Sequence, residues 1–299
     1  MRTALLNTIL LLVWVSLMAS SFVISVDLIP FANAITSTAL RFILASVMMI
    51  PLVVANYQGS RKEFKATKKI YFQYSIISAF LVFFFVGLFE ALKTTSALRT
   101  SVIYTLVPLL SIFITYVALK IKTSKIKLLG FILGTVGAVW VLLGFHQKNS
   151  GLFVFYIGDG IFVLSCLCLA IHVVLVKQWG SDVPPIQGSF YIMFLGGLML
   201  IPFMLMLGEL DSVAWDVTNF WSILLYLTIF TTMMTFFLQQ YLVQKVGPNQ
   251  LLAFTYLIPI LVVIPQGWSA ILQLKESASG ILITLLALYL ISKEPKAVT

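Results

Sequence analysis

The sequence predicts an all-α integral membrane protein whose ten transmembrane helices form two inverted five-helix repeats. Three observations lead there. Of 299 residues, 61% are apolar and only 10% charged, with a mean hydropathy of +1.06; a water-soluble chain carries roughly a quarter charged residues. The charges fall in short clusters between apolar runs of about 20 residues, the length a bilayer core demands. A proline motif recurs half a chain apart.

Apolar runs bounded by charge, Pro, Gly or Asn place spans near 4–26, 32–54, 72–92, 97–118, 128–145, 157–177, 188–207, 221–243, 250–271 and 278–292. The first follows Met1-Arg2-Thr3 and resembles a signal peptide. It is longer than a signal h-region, however, and a second span follows at once, so it reads as a membrane helix. The last is short, so nine helices with a re-entrant tenth is the competing count.

Orientation follows from the basic loops. Fourteen of the 19 Lys and Arg fall on the side of the N-terminus, among them Arg61, Lys62, Lys65, Lys120 and Lys122; Lys93, Arg99, Lys148 and Lys275 fall on the other, and Arg41 lies inside a span. The positive-inside rule then puts both termini in the cytoplasm. This distribution also accounts for the net charge of +9 without a nucleic-acid partner.

The repeats divide the chain into 1–148 and 152–293. Tyr104-Thr105-Leu106-Val107-Pro108 lines up with Thr255-Tyr256-Leu257-Ile258-Pro259. With five spans in each half, the second half enters the membrane from the opposite side. Each proline removes an amide donor and frees the carbonyl four residues earlier, at Tyr104 for Pro108 and Thr255 for Pro259. Freed acceptors at mid-membrane need protein or a wet cavity, so Pro108 and Pro259 read as bends that serve a cavity wall and its gating, or else as packing features.

Ionisable residues inside spans mark sites or partners. Arg41 either pairs with a substrate carboxylate or snorkels to the outer interface. Glu90 and Lys93, one turn apart, read as a local ion pair, with Glu90 the alternative coupling carboxylate. His172 titrates near neutrality, which suits proton coupling or a hydrogen bond to substrate; packing is the alternative. Gln239, Gln240 and Tyr241 form a polar run, as do Ser20 and Ser21. Trp14, Tyr104, Tyr256 and Trp268 offer aromatic surface. The expected substrate-binding set is Trp14, Arg41, Tyr104, His172, Gln240 and Tyr256. Gly130, Gly134 and Gly137 allow close helix approach, within the chain or at a homodimer contact.

No P-loop, metal-ligand cluster or Ser, His and acid constellation is present in the sequence, and Cys166 and Cys168 turn to nearly opposite helix faces, so neither a disulfide nor a metal site is expected. The chain is not expected to be an enzyme; a membrane-embedded sensor or enzyme remains the non-transport alternative.

Taken together, Trp14 with Ser20-Ser21-Phe22, Arg41-Phe42, Ala91-Leu92-Lys93-Thr94-Thr95-Ser96-Ala97 running to Pro108, Leu128-Leu129-Gly130 with Gly134 and Gly137, and Lys245-Val246-Gly247-Pro248 running to Pro259 resemble the drug/metabolite transporter superfamily, in its EamA-like branch of ten-helix permeases. The resemblance implies a central cavity lined by helices one to four and six to nine, with helices five and ten set apart as a packing or dimer pair. It implies export of amino acids, other metabolites or drugs across the cytoplasmic (inner) membrane by alternating access, without a bound cofactor. The alternative within transport is import or exchange of an anionic or nucleotide-like metabolite. The family's Gly-Glu pair before helices five and ten is absent: Ile121 and Ile271 stand at the glutamate positions, with Glu276 nearby.

Overall fold

In hydrocarbon, a long apolar run can satisfy its own backbone amides only by coiling into a helix. The computed structural model describes residues 2–59, 67–120, 123–146, 156–180, 183–273, 275 and 278–293, and the regular structure among them is helical throughout. Ile121, Glu276, Lys148 and the basic residues at 61–65 lie outside the described residues.

The first half comprises α1 (Arg2–Leu28), α2 (Ala34–Gly59), α3 (Lys68–Leu92), α4 (Ala97–Tyr104), α5 (Val107–Leu119) and α6 (Lys125–His146). The second comprises α7 (Ile157–Trp179), α8 (Pro185–Leu207), α9 (Thr218–Thr228), α10 (Thr235–Val246), α11 (Pro248–Phe254), α12 (Ile258–Val263), α13 (Trp268–Gln273) and α14 (Ala278–Lys293). Seven stretches among the described residues are long and apolar enough to cross a membrane, and Gln250–Gln266 and Ala278–Ile291 are shorter apolar helices. Bulky apolar side chains such as Met206, Ile157 and Leu282 are exposed on the outside of the bundle, the surface expected of a protein solvated by lipid.

Both halves carry the break that the paired prolines predict. α4 stops at Tyr104, two turn residues follow, and α5 restarts with Pro108 in its first turn, where a missing amide costs nothing. In the second half α11 stops at Phe254, a 3-10 turn spans Thr255–Leu257, and α12 restarts with Pro259 in its first turn. The ninth expected span, 250–271, ends early: a 3-10 turn at Ile264–Gln266 contains Pro265, and Gly267 then takes φ +99°, a left-handed backbone that favours glycine. Trp268, which opens the short helix beyond this turn, is exposed.

Packing follows small residues. α6 runs along α14, where Gly137 and Gly280 meet: a Cβ on Gly280 would lie 2.9 Å from the Gly137 carbonyl, and one on Gly137 2.8 Å from the Gly280 carbonyl. A Cβ on Gly134 would press 2.6 Å from the Tyr256 ring. The glycine run of α6 is therefore engaged by contacts within the chain. α3 packs along α7 and α8, and α2 along α8, so the largest buried cluster lies between the two halves.

Candidate functional site

Within that cluster is a cavity of ≈ 20 Å³, room for about one water molecule. α1 supplies Met18, Ser21 and Phe22, α3 supplies Phe84, Phe85 and Leu88, and α4 supplies Tyr104; from the second half come Leu169 of α7, Phe236 and Gln239 of α10, and Thr231. Its wall is thus an aromatic box with four polar groups, Ser21, Tyr104, Thr231 and Gln239. Tyr104 is buried and meets Phe22 edge-on at 5.3 Å and Phe84 at 6.1 Å.

Thr231 belongs to an irregular segment. Between α9 and α10 the backbone of Ile229–Met234 winds as a π-helix. Thr228, Thr231, Thr232 and Thr235 fall at i, i+3, i+4 and i+7, and all four are buried. Thr231 Oγ1 and Thr232 Oγ1 both donate to the Leu227 carbonyl at 2.9 Å, the second across the five-residue spacing of a π turn.

Arg41 lies about 10 Å along α2 from its start and docks onto this segment. Its Nη2 donates to Thr231 Oγ1 and to Thr232 Oγ1, each at 2.9 Å, and its Nε to Thr232 Oγ1 at 3.2 Å. The guanidinium carbon stands 4.6 Å from the ring centroid of Phe85 and 5.7 Å from that of Phe89. The side chain is 0% exposed, so it does not snorkel to an interface, and Nη1 has no hydrogen-bond partner. Arg41 is separated from the cavity by Thr231 and Phe85, which belong to the cavity wall and touch the guanidinium as well.

The other expected site residues spread around this centre. Trp14 lies one turn before Met18 on α1, buried, with Nε1 unpartnered. His172 sits about one turn beyond Leu169 on α7; its Nδ1 is 2.9 Å from the Ile77 carbonyl, its ring meets Phe236 edge-on, and Nε2 is unpartnered. Gln240 is buried beside the wall residue Gln239, its amide nitrogen unpartnered. Glu90 pairs locally with Lys93 at 2.8 Å, both side chains well exposed and away from the cavity. Tyr256 points elsewhere: its hydroxyl donates to the Phe131 carbonyl at 2.7 Å, in a separate small cluster with Ala253 and Ile291. Tyr256 thus faces α6, while Tyr104, one position earlier in the matching motif, faces the centre.

At the end of the bundle holding the α3–α4 turn, α4 and α7 are clamped. Arg99 forms an ion pair with Asp159, using both Nε and Nη2, while Thr95 Oγ1 donates to Asp159 Oδ1 at 2.7 Å and the Tyr156 amide to Oδ2 at 3.1 Å. The Arg99 guanidinium lies 4.9 Å from the Tyr156 ring centroid. Gly158 lets α7 approach closely, since a Cβ there would meet Thr94 Oγ1 at 2.6 Å and press on the Ala91 carbonyl. At the opposite end Tyr74 of α3 wedges against Gly188, where a Cβ would lie 2.9 Å from its hydroxyl. The two halves therefore touch at both ends of the bundle, through α4 with α7 at one and α3 with α8 at the other.

Residues 6–143 and 156–293 each match the EamA-like transporter family. The chain belongs to the EamA-like transporter family. Its two repeats place it in the drug/metabolite transporter superfamily, as a multi-pass membrane transporter. The uncharacterized transporter YyaM of Bacillus subtilis (strain 168) is 24% identical over 231 residues, 77% of this chain and 74% of that protein. The uncharacterized transporter YetK of the same organism is 25% identical over 256 residues, 84% of this chain and 76% of that protein. A protein of known crystal structure superposes with a TM-score of 0.65 at 19% identity, covering 96% of this chain and 97% of its own, which shows a shared fold.

Sequence reading did not single out the threonine stripe or Asp159. Four threonines at i, i+3, i+4 and i+7 in one apolar span were a readable signal, as was an acid just inside the start of another. The π turn itself has no such signal.

Proposed function

We propose that this EamA-like transporter carries small amphipathic metabolites, amino acids among them, out across the cytoplasmic membrane by alternating access. In this reading the chain crosses the bilayer ten times as two inverted five-helix repeats, 1–148 and 152–293, with both termini in the cytoplasm. The carrying observation is the aromatic and polar cavity between the halves. It is too small to hold a solute as it stands, so loading requires one end to open.

The Arg99 and Asp159 clamp closes the outer end in this reading, and Tyr74 with Gly188 the inner. Opening inward parts α3 from α8; opening outward breaks the ion pair. The broken helices α4–α5 and α11–α12 supply the bends about which the halves rock. Tyr104 forms the cavity wall with Gln239; Trp14, His172 and Gln240 lie within about a turn of wall residues and hold unpartnered polar atoms that a solute entering an opened cavity would satisfy. His172 is also the group available for proton coupling.

Thermal stabilisation of the purified protein by a panel of amino acids, nucleosides and drugs, followed by flux into liposomes, tests this. A ligand that stabilises the protein and is moved supports transport through the cavity; flux unaffected when the cavity wall is filled by Tyr104→Trp refutes it. A second reading, import or exchange of an anionic metabolite, draws on the same cavity and on the uncompensated charge of Arg41.

A further inference from the structure

Among the described residues, one buried guanidinium has no counter-charge. Arg41 is 0% exposed, yet its partners are neutral: two threonine hydroxyls and the faces of two phenylalanines. The ion pairs among the described residues join Lys93 to Glu90 and Arg99 to Asp159, and neither includes Arg41. Burying an uncompensated cation is among the costliest arrangements available to a membrane protein, and such residues face a pathway or a partner.

The surrounding groups show what kind of partner fits. Thr231 and Thr232 each commit their single proton to the Leu227 carbonyl, so their lone pairs face Arg41 and stand where anionic oxygens would stand. Nη1 keeps its hydrogens unmet, and a guanidinium fork matches a carboxylate two bonds at a time. Thr231 and Phe85 are the shared wall: both line the central cavity and both touch the guanidinium. The wall also includes part of the π turn at Ile229–Met234, and such turns recur at functional sites. Beyond it, Phe22, Phe84 and Phe236 offer ring surface to an apolar body.

We infer that Arg41 with the π turn at Thr231 and Thr232 is the receptor for the carboxylate of a solute whose apolar or aromatic body occupies the central cavity, an inference that rests on reading that cavity as the solute path. On opening, the Thr231 hydroxyl gives way and the carboxylate takes its place on the fork, neutralising the buried charge.

Three probes sharing one ring and a three-carbon chain separate charge from shape: 3-phenylpropionate, 3-phenylpropanol and 3-phenylpropylamine, each titrated into the purified full-length protein while its unfolding temperature is followed. The carboxylate is expected to stabilise at concentrations roughly ten- to a hundredfold below the alcohol and the amine, the range for a hydrogen bond to a charged group. Arg41→Gln is expected to level the three. Arg41→Lys, which keeps the charge and loses the fork, is expected to narrow the preference, and it serves where glutamine prevents folding. A preference left unnarrowed in whichever of these variants folds overturns the inference. Tyr104→Trp, which fills the wall, is expected to weaken all three probes. Equal stabilisation of the wild type by the three, still weakened by Tyr104→Trp, overturns the carboxylate receptor and leaves the cavity reading standing. Probes that bind the wild type and Tyr104→Trp alike overturn both. No stabilisation by any probe also overturns the inference.

Discussion

Thr105 and Thr255, three and four residues before the matched prolines, make the same bond in the two repeats: each donates Oγ1 to the carbonyl three residues earlier, Val102 and Leu252, at 2.6 Å. The hydroxyl bonds hold the last turn of α4 and of α11 just before the prolines restart the helix. Replacing Pro108 or Pro259 by alanine returns an amide donor to each break and lets the helix continue. A proline inside a helix costs about 3 kcal/mol, so its removal favours the straight form. The expected outcome is transport slowed about tenfold, the effect of a bias near 1.4 kcal/mol on a two-state equilibrium, with thermal stability unchanged or higher. Unchanged flux in Pro108→Ala and Pro259→Ala would show the breaks to be packing features alone.

Asp159→Asn removes the charge of the clamp and leaves Arg99 partly buried, at 15% exposure, beside a neutral amide. Because Arg99 retains some solvent, the loss is expected at about 1–2 kcal/mol, below the range for a fully buried pair. Thermal unfolding in detergent reads that loss. In cells, a cysteine placed at Ser21 should label faster with a membrane-impermeant maleimide in the Asp159→Asn background; equal labelling would mean the ion pair does not hold the outer end shut.

Tyr256→Phe deletes the hydroxyl bond to the Phe131 carbonyl and is expected to lower stability by about 1 kcal/mol while solute binding stays as in the wild type. Gly134→Ala drives a methyl into the same ring and is expected to cost about 1–3 kcal/mol by overpacking. Loss of solute binding in Tyr256→Phe without loss of stability would move this residue from the α6 contact to the solute path.

His172→Gln keeps a group able to donate to the Ile77 carbonyl but cannot take up a proton. If the ring carries protons during turnover, the transport profile between about pH 5 and 8 flattens. A profile identical to the wild type assigns His172 to packing against Phe236.

Much of the architecture was legible because the bilayer restricts what a chain can do. Apolar runs of spanning length, basic loops and two matched prolines were enough to read a helical membrane protein in two related halves. The proline reading extended to backbone detail, since a missing amide acts locally and both breaks lie beside Pro108 and Pro259. Local chemistry also gave the Glu90 and Lys93 pair, one turn apart on a single helix. The ninth span ends earlier than its apolar run implies, because Pro265 and the positive φ of Gly267 break the helix within that run.

What only the tertiary structure decided is which side chains meet. Tyr104 and Tyr256 sit in matching motifs, yet one faces the central cavity and the other α6, because a shift of one residue on a helix turns a side chain by roughly 100°. Arg41 presented its charge in the sequence, but its neutral partners lie 190 and 191 residues away, across a π turn that no periodicity encodes. The sequence alone determined that this chain is a membrane-spanning helical protein with two related halves, since solvent and backbone chemistry impose that residue by residue. The packing of helices distant in sequence decided where its uncompensated charge, its cavity and its clamp are brought together.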